Sequence, residues 1–407
     1  MAMSVKQPVE TPPYLKQVRI RDYAPLRDAK VDFKPGLNII IGSNGAGKTR
    51  FLSLTNELAD PYNGRRLNGL NCEIIIAGAH EIKIRFIEAN NAADESDSYA
   101  LTAEASLVVS ASYGTQTIEE PTTLFAALED LTNGLFSHYS TVLIKHGIPS
   151  PRLPIIDAST ELVLRILRRK IATIISLNVH EVESRLVQGL AGSIVRGIRQ
   201  GLREQDDSLP MTGDEAKEVI AQTVDDYLEP LNFYLPLYSS IIAVRRIEYF
   251  QVYRTIQDEL IIKGLVLEYR VGEAWLSFSM LSDGTKRLFY VITELLSPLG
   301  STHGQNKIIF LEEPELGIHP DQLQKLLTLI REVSDKHQVI MTTHSPQVLD
   351  MLRKDELDRI TICELDPKKG TQFRKLSAAT KAKAKAYMRD DSYLSDFWRF
   401  STLESRD

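Results

Sequence analysis

Residues Gly42-Ser43-Asn44-Gly45-Ala46-Gly47-Lys48-Thr49 fit G-x-x-x-x-G-K-[ST] at every fixed position. The run before them, Leu37-Asn38-Ile39-Ile40-Ile41, is short and β-branched, as a strand buried on both faces should be. The run after them, Lys48 to Leu58, carries a helical pattern. A strand that hands a glycine-rich loop to a helix N-terminus narrows the fold more than any other feature: it predicts the edge of an α/β sheet. Glycines allow successive N–H groups to turn inward around an anion. The helix presents its positive end to the same anion. In such a loop Lys48 neutralises β- and γ-phosphate charge, and Thr49 offers its hydroxyl to Mg²⁺.

Two further apolar strands end in chemistry. Ile308-Ile309-Phe310-Leu311 delivers Glu312 and Glu313, followed by Pro314. Ligands of open α/β sheets sit beyond such strand ends. Glu312 is expected to hold Mg²⁺, and Glu313 to polarise the water that attacks a γ-phosphate. Acid pairs of this kind usually begin with Asp; Glu312 is longer by a methylene, which makes water-bridged metal contact an alternative to direct contact. Val339-Ile340-Met341-Thr342-Thr343 ends at His344. The distance from Glu313 to His344 is one strand–helix–strand return, which predicts the same sheet edge for both. His344 is expected to hydrogen-bond the γ-phosphate.

Leu281-Ser282-Asp283-Gly284 stands just before an amphipathic run containing Leu288, Val291, Ile292 and Leu295. A Ser and a Gly at a helix N-terminus make a second anion site. One nucleotide needs only one glycine-rich loop, so a second, distant site fits a nucleotide held by a neighbouring copy.

Taken in this order, the four segments resemble the ABC-type ATPase head of the SMC/Rad50/RecF branch. They are most similar to stand-alone AAA-type ATPases related to the OLD family. Leu15 to Tyr23 with Gly36-Leu37-Asn38 resembles that family's first hairpin, and Glu312-Glu313-Pro314-Glu315 through Ile318-His319-Pro320 its Walker B and D-loop region. The resemblance implies an α/β fold: a mixed sheet with helices plus an antiparallel β lobe, with a helical insertion. It implies ATP and Mg²⁺ as cofactors, hydrolysis to ADP and phosphate, and head-to-head pairing of two copies. OLD-family proteins carry a C-terminal TOPRIM nuclease domain, and the stretch after His344 is too short for one. The family's Q-loop glutamine is not identifiable; Gln116 is the nearest candidate.

The remainder divides into a flexible leader at 1–13, the first half of the head at 14–120, a helical zone at 121–237, the second half at 238–369 and a tail at 370–407. Lys and Arg number 48 against 54 Asp and Glu, a net charge of −6, so the chain is no general glove for nucleic acid. Local basic clusters remain, at Arg165, Arg168 and Arg169, at Arg196, Arg199 and Arg203, and at Arg245-Arg246. No apolar run approaches a bilayer span. Two cysteines, Cys72 and Cys363, form no disulfide framework and are expected as buried thiols in the cytoplasm. The tail carries Lys381, Lys383 and Lys385, then Tyr387, Tyr393, Phe397, Trp398 and Phe400, which suits docking on a partner or packing on its own head. Two functions are expected from the resemblance. One is an ATPase scaffold and sensor controlling a separately encoded effector, a nuclease or toxin, in anti-phage defence. The other is an ATP-gated DNA-binding protein of DNA repair.

Overall fold

The structure, a computed structural model, describes residues 12–59, 71–78, 81–88, 107–113, 116–119, 139–145, 161–165, 185–204, 212–254, 259–296, 306–388 and 392–400. Strands β1 to β8 are Tyr14–Tyr23, Leu26–Asp32, Leu37–Ile41, Asn71–Ala77, Glu81–Glu88, Leu107–Tyr113, Gln116–Glu119 and Tyr139–Ile144, with helix α1 (Lys48–Ala59) after β3. Then come β9 (Glu161–Arg165), α2 (Arg185–Glu204), α3 (Gly213–Tyr238), and β10 to β14 at Ile241–Arg246, Gln251–Arg254, Glu259–Lys263, Leu267–Val271 and Ala274–Ser277. The chain closes with α4 (Asp283–Leu296), β15 (Asn306–Glu312), α5 (Pro320–Ser334), β16 (Gln338–Thr343), β17 (Ile360–Asp366), β18 (Gly370–Lys375), α6 (Ala378–Tyr387) and α7 (Leu394–Phe400). These elements form two compact units: Met1–Ile144 with Ser301–Glu315 and Ile330–Asp407, and Lys145–Gly300 with Leu316–Leu329.

The first unit holds two six-stranded sheets. One, in order β2-β1-β4-β5-β6-β7, is antiparallel throughout. The other runs β18-β17-β3-β16-β15-β8, with five parallel strands and β18 antiparallel at its edge. All five residues of β3 and all six of β16 are buried. That pattern belongs to parallel strands covered on both faces, which is why they read as unbroken apolar runs. Asn38 is the polar exception in β3. Its side chain accepts from Lys34 N and donates to the carbonyls of Lys34 and Gly36, so it closes the Lys34-Pro35-Gly36 turn that feeds the strand. Gln338 does comparable work at the start of β16, accepting from Leu15 N and donating to the Leu15 and Lys34 carbonyls. A common core joins the two sheets around Phe51 of α1, with Val18, Ile74, Ile40, Ile308 and Ile340.

The second unit contains two three-stranded antiparallel sheets, β10-β13-β14 and β11-β12-β9, with helices α2, α3 and α4. Helix α3 starts on a capping box: Thr212 Oγ1 accepts from Glu215 N while the Glu215 carboxylate accepts from Thr212 N. Its buried residues, Ala216, Ile220, Val224, Leu228, Leu231 and Leu235, recur every three or four positions. Asn232 brackets β10, exchanging hydrogen bonds with the N–H and carbonyl of Val244.

One expectation changes, and two features left open take a definite form. The zone 121–237 is not wholly helical: β8 joins the parallel sheet beside β15, and β9 pairs with β12. Tyr-Ser-Thr-Val-Leu-Ile and Glu-Leu-Val-Leu-Arg are short apolar runs, which periodicity alone does not separate from buried helix. Part of the aromatic tail packs on its own unit, while Tyr393 stays exposed. Leu394 and Phe397 of α7 are buried, Phe397 lies 5.5 Å from the Tyr387 ring, and Asp350 accepts from both Ser395 N and Ser395 Oγ. The basic pair Arg245-Arg246 is neutralised by Glu268 and Asp225. The leader up to residue 11, Arg168, Arg169 and the side chains of Arg165, Arg199, Arg203 and Gln116 lie outside the described residues. Cys72 and Cys363 are both free and buried. Among the described residues no helix is long and apolar enough to cross a membrane.

Lys375, on β18, donates to Thr361 Oγ1 at 2.8 Å. Burial pushes its pKa down to about 8; Lys34 and Lys381 act in the same direction, and Asp32 and Asp358 oppose them. Between that value and the ordinary lysine value the unfolded chain binds the extra proton, so stability rises with pH across this window. The cost is fully present below about pH 8. Lys375→Met is expected to be more stable than the parent at pH 7 by on the order of 2 kcal/mol. Its advantage should shrink by pH 10 in denaturant unfolding; an equal gap at both pH values would show that Lys375 does not carry this proton.

Candidate functional site

The loop between β3 and α1 is shaped by what stands behind it. A Cβ on Gly42 would lie 2.0 Å from the Cys363 carbonyl oxygen of β17, so only glycine lets the loop leave the sheet there. Gly45 and Gly47 adopt φ of 77° and 99°, the left-handed region that glycine enters without steric cost. A Cβ on Gly47 would meet Thr371 Oγ1 at 2.3 Å. Thr371, on β18, donates its hydroxyl to the Ala46 carbonyl at 2.9 Å, and Cys363 Sγ reaches the same oxygen at 3.5 Å. Burial pushes the Cys363 thiol up to about 12, so it stays protonated behind the loop. The β17–β18 hairpin is thus the back wall of the cradle. Ser43, Asn44 and Gly45 face outward, and Thr49 is exposed on the first turn of α1.

Lys48 points inward. Its side chain is 4% exposed, and Nζ donates to the carbonyls of Gly42 at 2.9 Å and Ser43 at 3.0 Å. The Glu313 Oε1 atom lies 3.6 Å from the same Nζ. Glu313 takes φ 39°, which costs a non-glycine residue about 1–3 kcal/mol and turns its side chain back from the end of β15. His344 Nδ1 lies 3.5 Å from Glu313 Oε2 and 3.6 Å from Glu315 Oε1. Lys48, Glu313 and His344, which stand at the ends of three different elements, therefore form one chain of close polar contacts in the first unit. Glu312 closes β15 as a buried carboxylate at 3% exposure.

Glu315 belongs to this cluster, although sequence reasoning gave it no role. Its Oε1 accepts from Thr343 Oγ1 at 2.5 Å and from His344 N at 3.3 Å, and its side chain is 6% exposed. The signal was present: a third acid in the same short run as Glu312 and Glu313. Thr371 had no such signal, since only the fold brings β18 to the loop.

The Leu281–Gly284 segment lies in the second unit. Leu281 is buried, whereas Ser282 and Asp283 are exposed. Ser282 caps α4, its Oγ accepting from Thr285 N at 3.2 Å. Gly284 is held to glycine by the Gly317 carbonyl, which a Cβ would approach to 2.8 Å. Arg287 is buried in the same helix, while Lys286 reaches back to Asp283 at 3.4 Å.

Residues 189–350 match a family described as "AAA domain, putative AbiEii toxin, Type IV TA system", and residues 17–120 match one described as "AAA domain". Septu protein PtuA of Bacillus thuringiensis is 31% identical over 109 residues, 25% of this chain and 27% of that protein. The OLD nuclease of Thermus scotoductus is 32% identical over 110 residues, 24% and 20% of the two chains. An uncharacterized protein of Methanocaldococcus jannaschii is 24% identical over 161 residues, 34% of this chain and 40% of that protein. The chain thus spans less than half the length of these relatives. Among solved structures, an SMC head bound to the C-winged helix domain of ScpA superposes with a TM-score of 0.49 at 13% identity, covering 91% of this chain and 99% of that one. The SMC head domain of Thermotoga maritima gives 0.42 at 11% identity, covering 89% and 99%. With AAA-domain matches over residues 189–350 and 17–120, and with its motifs in this order on this α/β fold, the chain is similar to ABC-type P-loop ATPases related to the OLD-like proteins.

Proposed function

We propose that this chain binds ATP with Mg²⁺, hydrolyses it between two paired heads, and uses that cycle to hold and release a separately encoded effector, a nuclease or toxin, in cytoplasmic anti-phage defence. The observation that carries the catalytic part is the Lys48–Glu313–His344 chain, with separations of 3.6 and 3.5 Å, lying under a glycine cradle. In this reading Lys48 exchanges its loop carbonyls for phosphate oxygens. Glu313 accepts a proton from the attacking water, and His344 hydrogen-bonds the γ-phosphate. Ser282 and the α4 N-terminus of one copy cap the nucleotide of the other.

The residues fit Mg²⁺ as a partner of the nucleotide. The Thr49 hydroxyl and the Glu312 carboxylate are hard oxygen donors, the kind this cation takes alongside substrate phosphates and water. Among the described residues no group of three or more His, Cys, Asp or Glu could hold a metal by itself, which suits a cation brought in with ATP. When bound, the ion neutralises charge developing on the β- and γ-phosphate oxygens.

Similarity to Septu protein PtuA and to the OLD nuclease supports the defence part. The alternative, an ATP-gated DNA clamp, is weakened by the pairing of Arg245 with Glu268 and of Arg246 with Asp225. ATP-dependent DNA binding that falls steeply with salt would revive it. Failure to co-purify with the product of any neighbouring gene would count against the effector.

Lys48→Ala is expected to abolish nucleotide binding measured by calorimetry. Glu313→Gln should keep binding, lower turnover by at least about 100-fold, and trap the closed pair of heads in gel filtration. Ser282→Arg is expected to leave ATP affinity of the single head unchanged and to remove turnover; full turnover would rule out the shared nucleotide. Glu315→Ala should lower kcat by about tenfold with little change in KM, because His344 loses its backbone and side-chain anchor. Glu315→Gln, whose amide oxygen still accepts from Thr343 and His344, should recover part of the loss. Equal defects in both variants would show that the charge, not the positioning, matters.

A further inference from the structure

The second unit contains a cleft of about 510 Å³ between α2, α3 and α4 that the nucleotide chemistry does not use. Its volume is in the range of sites that enclose small molecules. Two features of sequence build it. Gly197 of α2 meets α3 so closely that a Cβ would stand 2.3 Å from Thr223 Oγ1, which pins the two helices at one end of the cleft. Pro230 lies inside α3 and cannot donate to the Asp226 carbonyl one turn earlier, so the helical ladder lacks that bond at the cleft wall.

The lining is mostly apolar and aromatic, with Tyr227, Leu231 and Tyr234 from α3 and Leu296 from the end of α4. Arg196 stands at its polar side. The Arg196 guanidinium donates to Ser193 Oγ at 2.9 Å, and among the described residues no carboxylate lies within ion-pair distance of it. Asp226, which also lines the cleft, is engaged by the Gln222 amide at 2.7 Å. A cation without a carboxylate beside an aromatic wall asks for a ligand with a flat ring and one anionic group. The ring would stack on tyrosine, and the anion would take the two-pronged guanidinium.

We propose that this cleft is a binding site for a small aromatic anion, a planar ring system bearing one carboxylate, sulfonate or phosphate. The site is independent of the nucleotide cradle, which belongs to the first unit, and its test does not require ATPase activity. The dye 8-anilinonaphthalene-1-sulfonate has this chemistry and serves as the probe on the full chain, followed by fluorescence. One saturable site is expected. Arg196→Glu should weaken binding by about tenfold or more through loss of the charged contact. Ser193→Trp, which places an indole in the cleft from α2, should abolish it. Tyr249→Ser removes an aromatic side chain that is 88% exposed between β10 and β11 and not part of the lining, and should change nothing. Far-UV circular dichroism of each variant reports whether it is folded, and Arg196→Glu alone decides the question if Ser193→Trp is not. Unchanged dye affinity in Arg196→Glu, or an equal loss in Tyr249→Ser, overturns the proposal. So does competitive displacement of the dye by duplex DNA, which would assign Arg196 to a nucleic-acid face instead.

Discussion

A glycine loop can cradle an anion only if its backbone is held rigid from behind, because the donors are main-chain N–H groups with no side chain to correct their aim. Here the restraint comes from strand pairing. β3 is hydrogen-bonded on one side to β16 and on the other to β17, and the hairpin continuing from β17 touches the loop at Cys363 and Thr371. Glycine at 42 and 47 is required by that approach, not merely permitted by the loop. The same pairing sets the chemistry in register. Thr342 lies opposite Glu312 and also opposite Ile40, so the acids, the histidine and the loop emerge at one level of the sheet.

The site is a compact electrostatic arrangement. Lys48 sits nearly buried against Glu313, and Glu313 and Glu315 together face the His344 ring. Burying like charges side by side is costly unless a cation and hydrogen bonds compensate them. Lys48 supplies the cation, and the Thr343 hydroxyl and His344 N–H supply hydrogen bonds to Glu315. The left-handed backbone at Glu313 is a second stored cost, placed where a residue must point against the natural run of its strand.

Much of this was legible in the sequence because each element announced itself twice. Leu37–Ile41, Ile308–Leu311 and Val339–Thr343 are apolar runs of strand length, and each ends in a residue type that means little in a core: a glycine loop, two acids, a histidine. What was not legible lacked one of those signals. Tyr139–Ile144 is the strand beside β15, without a chemical ending and without a helix-length alternative to exclude, so it merged with the helical zone around it. The seating of α7 depends on the Asp350 bonds to Ser395 and on the burial of Leu394 and Phe397, a tertiary match that composition does not encode. Thr371 is an ordinary strand threonine until the sheet order brings it to Ala46. Glu315 was visible as a letter but not as a role, since its task is defined by the backbone of another strand.

The contact between Thr371 and Ala46 joins residues 325 positions apart. Chains are made from the N-terminus, and contacts of large sequence separation form late. The glycine loop thus leaves the ribosome well before the strands that shape it. A nascent or truncated chain that stops before β17 carries the whole phosphate-binding signature in its sequence yet has no wall to hold it. The loop's final shape therefore waits until β17 and β18 have been made and paired.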